Sequence, residues 1–269
     1  MKRLLLYLVL ILGAVMFTYP FLWMVSATFA PEQEISKLLL LPSKFVWTSY
    51  QQVFAKIPIL RALLNSMLVA SAITLSVIVL ASMVGYALSR YRFKGQNLLF
   101  YIIIFTMTLP FQITLIPQYI MMVKFGWVDS YLALIVPYMI NAFAIILFRQ
   151  HFMTIPQDLI DAARIDGCGE LRILFRILMP NSIPAVVTVG IITFMTAWNE
   201  VLWPLIVIRD QEMMTMPQLV ALFVVGGRAE SQLGVKLAAA TLLAMPIVLA
   251  YFFFQRYFIQ SMASSGLKE

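Results

Sequence analysis

Along the chain the apolar residues fall in long blocks, and the polar residues gather between them. Blocks near Leu4–Phe29, Leu63–Leu88, Leu98–Val123, Tyr131–Phe148, Ile183–Ile208 and Leu237–Phe258 match the roughly 20 residues that a helix needs to cross a hydrocarbon core. Lipid offers the backbone no partner, so such blocks must close their own hydrogen bonds as helices. The period-two alternation of a membrane barrel is absent. The pattern predicts an all-α membrane protein with six transmembrane helices. It also predicts three regions: a first helix with an outer segment over 1–60, a transmembrane core over 61–260, and a tail over 261–269. Between the blocks, Ala30–Arg61 is mixed in polarity and reads as partly helical. Met213–Val225 is apolar but too short to span, which suits an interfacial or re-entrant helix. Pro20, Pro110, Pro117, Pro137, Pro204 and Pro246 sit inside or beside the blocks and read as kinks.

Composition agrees. Hydrophobic residues are 62% of the chain and charged residues 12%, about half the charge of an ordinary soluble domain. The formal net charge of +7 is not a nucleic-acid signature here, because the basic residues flank the apolar blocks, where topology accounts for them. Lys2, Arg3, Arg90, Arg92, Lys94, Arg149, Arg164, Arg172, Arg176, Arg256 and Lys268 share one side. Lys37, Lys44, Lys56, Arg61, Lys124, Arg209, Arg228 and Lys236 share the other. The bias is sharpest at the short loops and predicts that the first side, with both termini, is cytoplasmic. Cys168 and His151 are the sole cysteine and histidine, so neither a disulfide framework nor a Cys/His metal site is expected. The apolar run after Lys2-Arg3 is too long for a signal-peptide core, although Val25-Ser26-Ala27 mimics a cleavage site, so an uncleaved first span is expected.

The longest inward segment, 149–181, carries most of the information. Pro156 suits the first turn of a helix, and Asp158 and Asp161 suit its positive end. Asp158–Asp166 reads as a short helix that Gly167 and Gly169 break into a turn. Leu171, Leu174, Phe175 and Leu178 then recur at i, i+3, i+4 and i+7, predicting a second helix with one apolar face, ended by Pro180 and Pro184. Such a bent helix pair can pass motion to a soluble partner, or it can lie on the membrane surface with no partner at all. Ala162 and Ala163 would let a partner approach closely.

The sequence Asp161-Ala-Ala-Arg-Ile-Asp-Gly167, then nine residues, Ile177, and Met179-Pro180 resembles the EAA loop of ABC importer permeases: Glu-Ala-Ala, three residues, Gly, nine residues, Ile, one residue, Leu-Pro. Asp161 replaces Glu and keeps the charge on a shorter arm; Met179 replaces Leu at similar volume; Cys168 stands where Ala is common. Trp198-Asn199-Glu200, Met216-Pro217, Pro246, Gln255–Phe258 and Ser264–Lys268 are similar to the carbohydrate-uptake branch, in particular to its maltose-type G subunits. The resemblance implies the type I permease fold, with cytoplasmic coupling helices seated in the cleft of an ATPase. Asp161, Ala162, Ala163, Asp166, Gly167, Ile177 and Pro180 would then couple the spans to that ATPase. It implies a second permease, most simply in a heterodimer, two ATPase subunits that hold ATP and Mg, and an extracytoplasmic solute-binding protein, all at the cytoplasmic (inner) membrane. The cargo would be a disaccharide or oligosaccharide, or alternatively a polyol or glycerol phosphate.

No Gly-Lys-Ser/Thr triplet occurs, so ATP chemistry is expected on a partner and no catalytic residue or cofactor in this chain. A self-sufficient secondary transporter would favour paired ionisable groups in the spans and related halves. Glu200 is the only acid within a predicted span, beside Asn199 and Trp198. An intramembrane charge by default suggests function. Glu200, Asn199, Trp198 and Asn141 are therefore candidates for the substrate path, with Trp203, Asn65 and Gln112 as further polar or aromatic neighbours; pairing with another span is the other reading.

Overall fold

The computed structural model describes residues 2–225 and 232–266. Side chains from 253 onward lie outside the described set, so Arg256, Gln255–Phe258 and Ser264–Lys268 are not placed; neither is Arg228. The described residues form helices and turns: α1 Lys2–Ala27, α2 Glu32–Ile35, α3 Thr48–Lys56, α4 Ile59–Arg90, α5 Gln96–Thr106, α6 Phe111–Phe125, α7 Tyr131–Ile135, α8 Ala142–Met153, α9 Gln157–Ile165, α10 Glu170–Ile173, α11 Met179–Asn181, α12 Ile183–Trp198, α13 Leu202–Val207, α14 Met216–Val225 and α15 Leu233–Gly266. The chain divides into two compact units, Met1–Leu63 with Met216–Leu249, and Leu64–Thr215 with Ala250–Glu269.

Among the described residues two helices, Arg3–Ala27 and Ile59–Arg90, are long and apolar enough to cross a membrane unbroken. Three further apolar stretches pass only as bent pairs, so the expected continuous spans need correction. The third, expected over Leu98–Val123, breaks between α5 and α6 with a bend of 99°. Pro110 is the cause: it has no N–H to give and sits extended at φ −62, ψ 137. The Thr106 and Thr108 hydroxyls donate to Ile103 O and Phe105 O and satisfy carbonyls at the break. The fourth bends by 42° between Tyr138 and Ala142, where Pro137 opens a short 3-10 turn and Asn141 caps α8 by accepting from Ala144 N–H at 3.0 Å.

The fifth, expected over Ile183–Ile208, stops at Trp198 and resumes as α13. Three side chains explain this. Asn199 Nδ2 bonds back to Met195 O at 2.8 Å. The Glu200 carboxylate accepts the Trp203 N–H at 3.1 Å. Pro204 has no N–H to return to the Glu200 carbonyl. The sixth block lies within α15, whose Leu233–Leu249 part is apolar.

In the first unit α1 is apolar and exposed along nearly its whole length, as a lipid-facing helix should be. Ala27 at its end and Ala30 just beyond it pack with Ile35, Trp23 and Leu237. Glu32 Oε2 accepts from Gly234 N–H at 3.0 Å and Oε1 from Leu233 N–H, placing a carboxylate on the positive end of α15. All of Met216–Val220 is buried. Leu222 and Val225, further along the same helix, stay exposed.

In the second unit a buried cluster of Phe148, Phe152, Ile160, Ile173, Leu174, Leu178 and Trp203 joins α8 through α13 to α4. The tightest approach is at Gly85 of α4. A Cβ there would lie 2.9 Å from Phe148 Cβ, 3.0 Å from Arg149 N and 3.1 Å from Ile145 O. Two of those atoms are backbone and cannot step aside. Gly85→Ala must therefore part α4 from α8 and is expected to destabilise by about 1–3 kcal/mol, read as a lower thermal midpoint of the purified protein in detergent. Gly190→Ala, whose new methyl meets Ile78 Cδ1 at an ordinary 3.6 Å, should leave the midpoint unchanged.

Candidate functional site

The loop over 149–181 folds as two short helices joined by a cap. Pro156 sits one position earlier than expected, at the N-cap of α9 with φ −57 and ψ 138. The far end of α9 is closed by a pair of crossed hydrogen bonds. Cys168 N–H donates to Ala163 O at 2.9 Å, and Gly167 N–H donates to Arg164 O at 3.0 Å. This is the Schellman arrangement, which requires a left-handed residue four places after the residue whose carbonyl is closed. Gly167 takes that conformation at φ +78. The Ala163-to-Gly167 spacing in the motif is thus the geometry of a helix end.

Burial divides the motif residues. Ile160 and Ala163 point into the cluster, while Asp161, Ala162, Asp166 and Gly167 are exposed. Ile165 is 87% exposed and Leu159 42%, so the outer face of α9 mixes two carboxylates with apolar side chains. Ile177 is half-buried and Pro180 exposed.

The expected second amphipathic helix is altered. Residues Leu174–Leu178 form a π turn, in which Met179 N–H reaches Leu174 O five residues back. Pro180 follows, lacking the N–H an α-helix would need. The wider turn changes the apolar face: Ile173, Leu174 and Leu178 are buried, whereas Leu171 is 60% and Phe175 41% exposed. The helix then runs to Asn181 and turns by 87° into α12, which Pro184 opens rather than closing its predecessor.

A polar chain ties α9 to α4. Arg164 Nε donates to Glu170 Oε1 at 3.0 Å and Arg164 Nη1 to Asp161 Oδ1 at 3.3 Å. The Tyr86 hydroxyl donates to Glu170 Oε2. Gln157 Nε2 donates to Asp161 at 3.0 Å, and Gln157 Oε1 accepts from Arg90 Nη1 at 2.8 Å. Arg90 also donates to the carbonyls of Phe152 and Ile155. Sequence reasoning missed Tyr86, Arg90 and Glu170 in this role. Arg90 registered only as a topological charge, and Glu170 offered one legible sign, an acid in the first turn of α10.

The candidate intramembrane residues do not stay together. A cavity of ≈ 90 Å³ within the second unit is lined by Glu200, Asn141, Tyr138, Thr193, Thr196, Trp203 and Thr215 among apolar neighbours. Glu200 and Asn141 are therefore joined, with Trp203. Trp198 and Asn199 do not line it: Trp198 is buried elsewhere and Asn199 is exposed. Gln112 is also exposed. Asn65 is a clasp, donating to Glu212 O and Met214 O at 2.9 Å each and accepting from the Tyr131 hydroxyl at 2.8 Å. Tyr138 and Thr215 were not anticipated.

Residues 77–264 match the family of binding-protein-dependent transport system inner membrane components. The arabinooligosaccharides transport system permease protein AraQ of Halalkalibacterium halodurans is 34% identical over 256 residues, 93% of this chain and 91% of its own length. The sn-glycerol-3-phosphate transport system permease protein UgpE of Pectobacterium atrosepticum is 31% identical over 96% of this chain and 95% of its own. The polygalacturonan/rhamnogalacturonan transport system permease protein YtcP of Bacillus subtilis is 30% identical over 98% and 97%. In fold, the chain superposes with a TM-score of 0.83 and 24% identity, over 96% of both chains, on a chain in the crystal structure of a bacterial ABC transporter involved in the import of the acidic polysaccharide alginate.

The Glu170 contacts set a pH dependence. Burial pushes its carboxyl up, but the hydrogen bonds from Arg164, Tyr86 and Tyr91 outweigh it, and the net displacement is downward from 4.5. A depressed carboxyl in the folded state contributes stability above its unfolded value and loses it as pH falls through the folded one. The protection factors of the α9 amides, which divide out the intrinsic pH dependence of exchange, should therefore be flat from pH 8 to 5.5 and fall below pH 4.5. In Glu170→Gln the protection should be lower than the parent's above pH 4.5, converge with it at lower pH, and lack that step.

Proposed function

The chain belongs to the family of binding-protein-dependent transport system inner membrane components, and from that premise we infer that it is the permease subunit through which an ABC importer moves a carbohydrate. Three readings follow. The chain has no catalysis of its own; it pairs with a second permease in a heterodimer; and two ATPase subunits, holding ATP and Mg, supply the energy. An extracytoplasmic solute-binding protein delivers the cargo. The assembly lies in the cytoplasmic membrane with both termini inside, on the side where Arg90–Lys94 and the 149–181 loop fall. Relatives named for arabinooligosaccharide and for polygalacturonan or rhamnogalacturonan transport support a disaccharide or oligosaccharide cargo. The relative named for sn-glycerol-3-phosphate keeps a second cargo class in view.

The observation that carries the coupling role is the exposed outer face of α9. Asp161 and Ala162 stand open beside Ile165 and Leu159, while the cap at Gly167 and the links to Tyr86 and Arg90 hold the helix to α4. A helix with an apolar, acid-rimmed outer face and a fixed base suits a cleft on a soluble partner. When the ATPases close, α9 moves with them and drives α4. Asp161, Ala162, Asp166 and Gly167 form or shape that contact; Ala163, Ile177 and Pro180 support it from within the chain.

Gly167 gives the test. A β-branched residue at φ +78 costs about 1–3 kcal/mol and unwinds the cap, whereas asparagine tolerates that region. Gly167→Val is expected to lower both the ATPase recovered with the purified permease and the uptake rate at least fivefold, and Gly167→Asn to retain most of each. Gly169→Ala, at φ −71 in open space, should match the parent. Full assembly and uptake in Gly167→Val would refute the coupling role of this loop.

A further inference from the structure

Inside a membrane protein a polar group must find a partner, or it marks a place where something polar comes and goes. The cavity between α4, α8, α12 and α13 holds two hydroxyls of the second kind. Thr215 is only 5% exposed, and its Oγ1 has no hydrogen-bond partner. The Tyr138 hydroxyl is likewise buried without one. Both line the cavity.

Two further groups complete the polar wall. Glu200 gives one carboxylate oxygen to the Trp203 N–H at 3.1 Å; among the described residues the other takes no bond. Asn141 spends its carbonyl oxygen on the α8 cap and keeps both amide hydrogens. Among the described residues no lysine or arginine lines the space.

The mouth is informative too. Asn141 is exposed there with both amide hydrogens unspent, and such a group turned to hydrocarbon would be costly; Thr196 beside it already donates its hydroxyl to Ile192 O at 2.8 Å. The mouth therefore opens on water or on another subunit. The volume of ≈ 90 Å³ compares with the roughly 10–15 Å³ of such space that one water needs. It takes several waters, or the hydroxyl edge of one sugar ring, and not a whole oligosaccharide.

We propose that this cavity is a hydroxyl-recognition subsite on the translocation path, built for a neutral saccharide and against an anionic one. The proposal rests on the carbohydrate-import reading and narrows it. Vicinal sugar hydroxyls donate to Glu200 and accept from Asn141, Tyr138 and Thr215, displacing the waters that otherwise serve those groups. A phosphate ester or uronate meets a carboxylate with no cation to offset it, so passage of such cargo is disfavoured here.

The complete complex, with its second permease and ATPases in lipid nanodiscs and without the solute-binding protein, can be probed by saturation-transfer NMR. The probes are arabinotriose, digalacturonate and sn-glycerol 3-phosphate. Arabinotriose should give at least three times the transfer of either anion. Tyr138→Phe and Thr215→Val should each cut that signal at least threefold. Glu200→Gln, whose amide oxygen still accepts from Trp203 N–H, should raise the digalacturonate signal relative to arabinotriose. Unchanged arabinotriose transfer in both Tyr138→Phe and Thr215→Val overturns the subsite, as does digalacturonate transferring to the parent as strongly as arabinotriose. Binding-protein-driven uptake in proteoliposomes separates the two levels. Saccharide uptake that is equal in parent and variants removes the subsite and leaves the importer standing; no saccharide uptake by the parent removes both.

Discussion

The second unit depends on one close approach, that of α4 and α8 at Gly85. With Phe148 Cβ and the Arg149 and Ile145 backbone packed against it, the next turn of α4 runs beside the end of α8. Helix ends leave carbonyls without partners, and here neighbouring helices serve them. Arg90 donates to Phe152 O and Ile155 O at the end of α8. Gln96 and Arg149 donate to Leu88 O at the end of α4, at 2.9 and 3.3 Å. The Arg149 guanidinium also lies 4.1 Å over the Phe100 ring, whose face attracts a cation. All of these contacts presuppose helices close enough to trade them.

From that contact α4 extends in both directions. Tyr86 and Arg90 meet the loop, and Ile73 and Val69 form part of the cavity wall. The thirteen helical steps from Ile73 to Tyr86 span about 20 Å. The helix between them is unbroken, unlike the three stretches that bend. An unbroken helix thus joins the 149–181 loop to the cavity wall. The bends at Pro110, at Pro137 and after Trp198 interrupt other helices and leave α4 continuous.

Much of the architecture was legible in apolar blocks, and the reason is the solvent. Lipid forces helices, so α1 and α4 follow almost directly from block length. The breaks were harder to read because they arise from side chains that satisfy the backbone locally: Thr106 and Thr108 at one, Asn141 at the next, Asn199 and Glu200 at the third. Each is a single residue whose effect depends on where it folds back. In the loop the Asp161–Gly167 spacing was visible, and the cap explains why it exists. The partners of Arg164 were not, since Tyr86 lies 84 positions from Glu170 and no local pattern links them. Glu200 drew notice as a charge, yet half of its work is to start α13. The buried hydroxyls beside it became visible only once α4, α8 and α12 enclosed them.

Arg164 sits between two carboxylates, Asp161 at 3.3 Å and Glu170 at 3.0 Å. All three side chains are about a third or more exposed, so each pair is worth only about 0–1 kcal/mol. The Glu170 pair is also braced by Tyr86, and the Asp161 pair is the longer and more open of the two. Asp161 can therefore be handed to another cation while Arg164 stays neutralised. The loop keeps one acid on loan, returned at almost no cost whenever the borrower leaves.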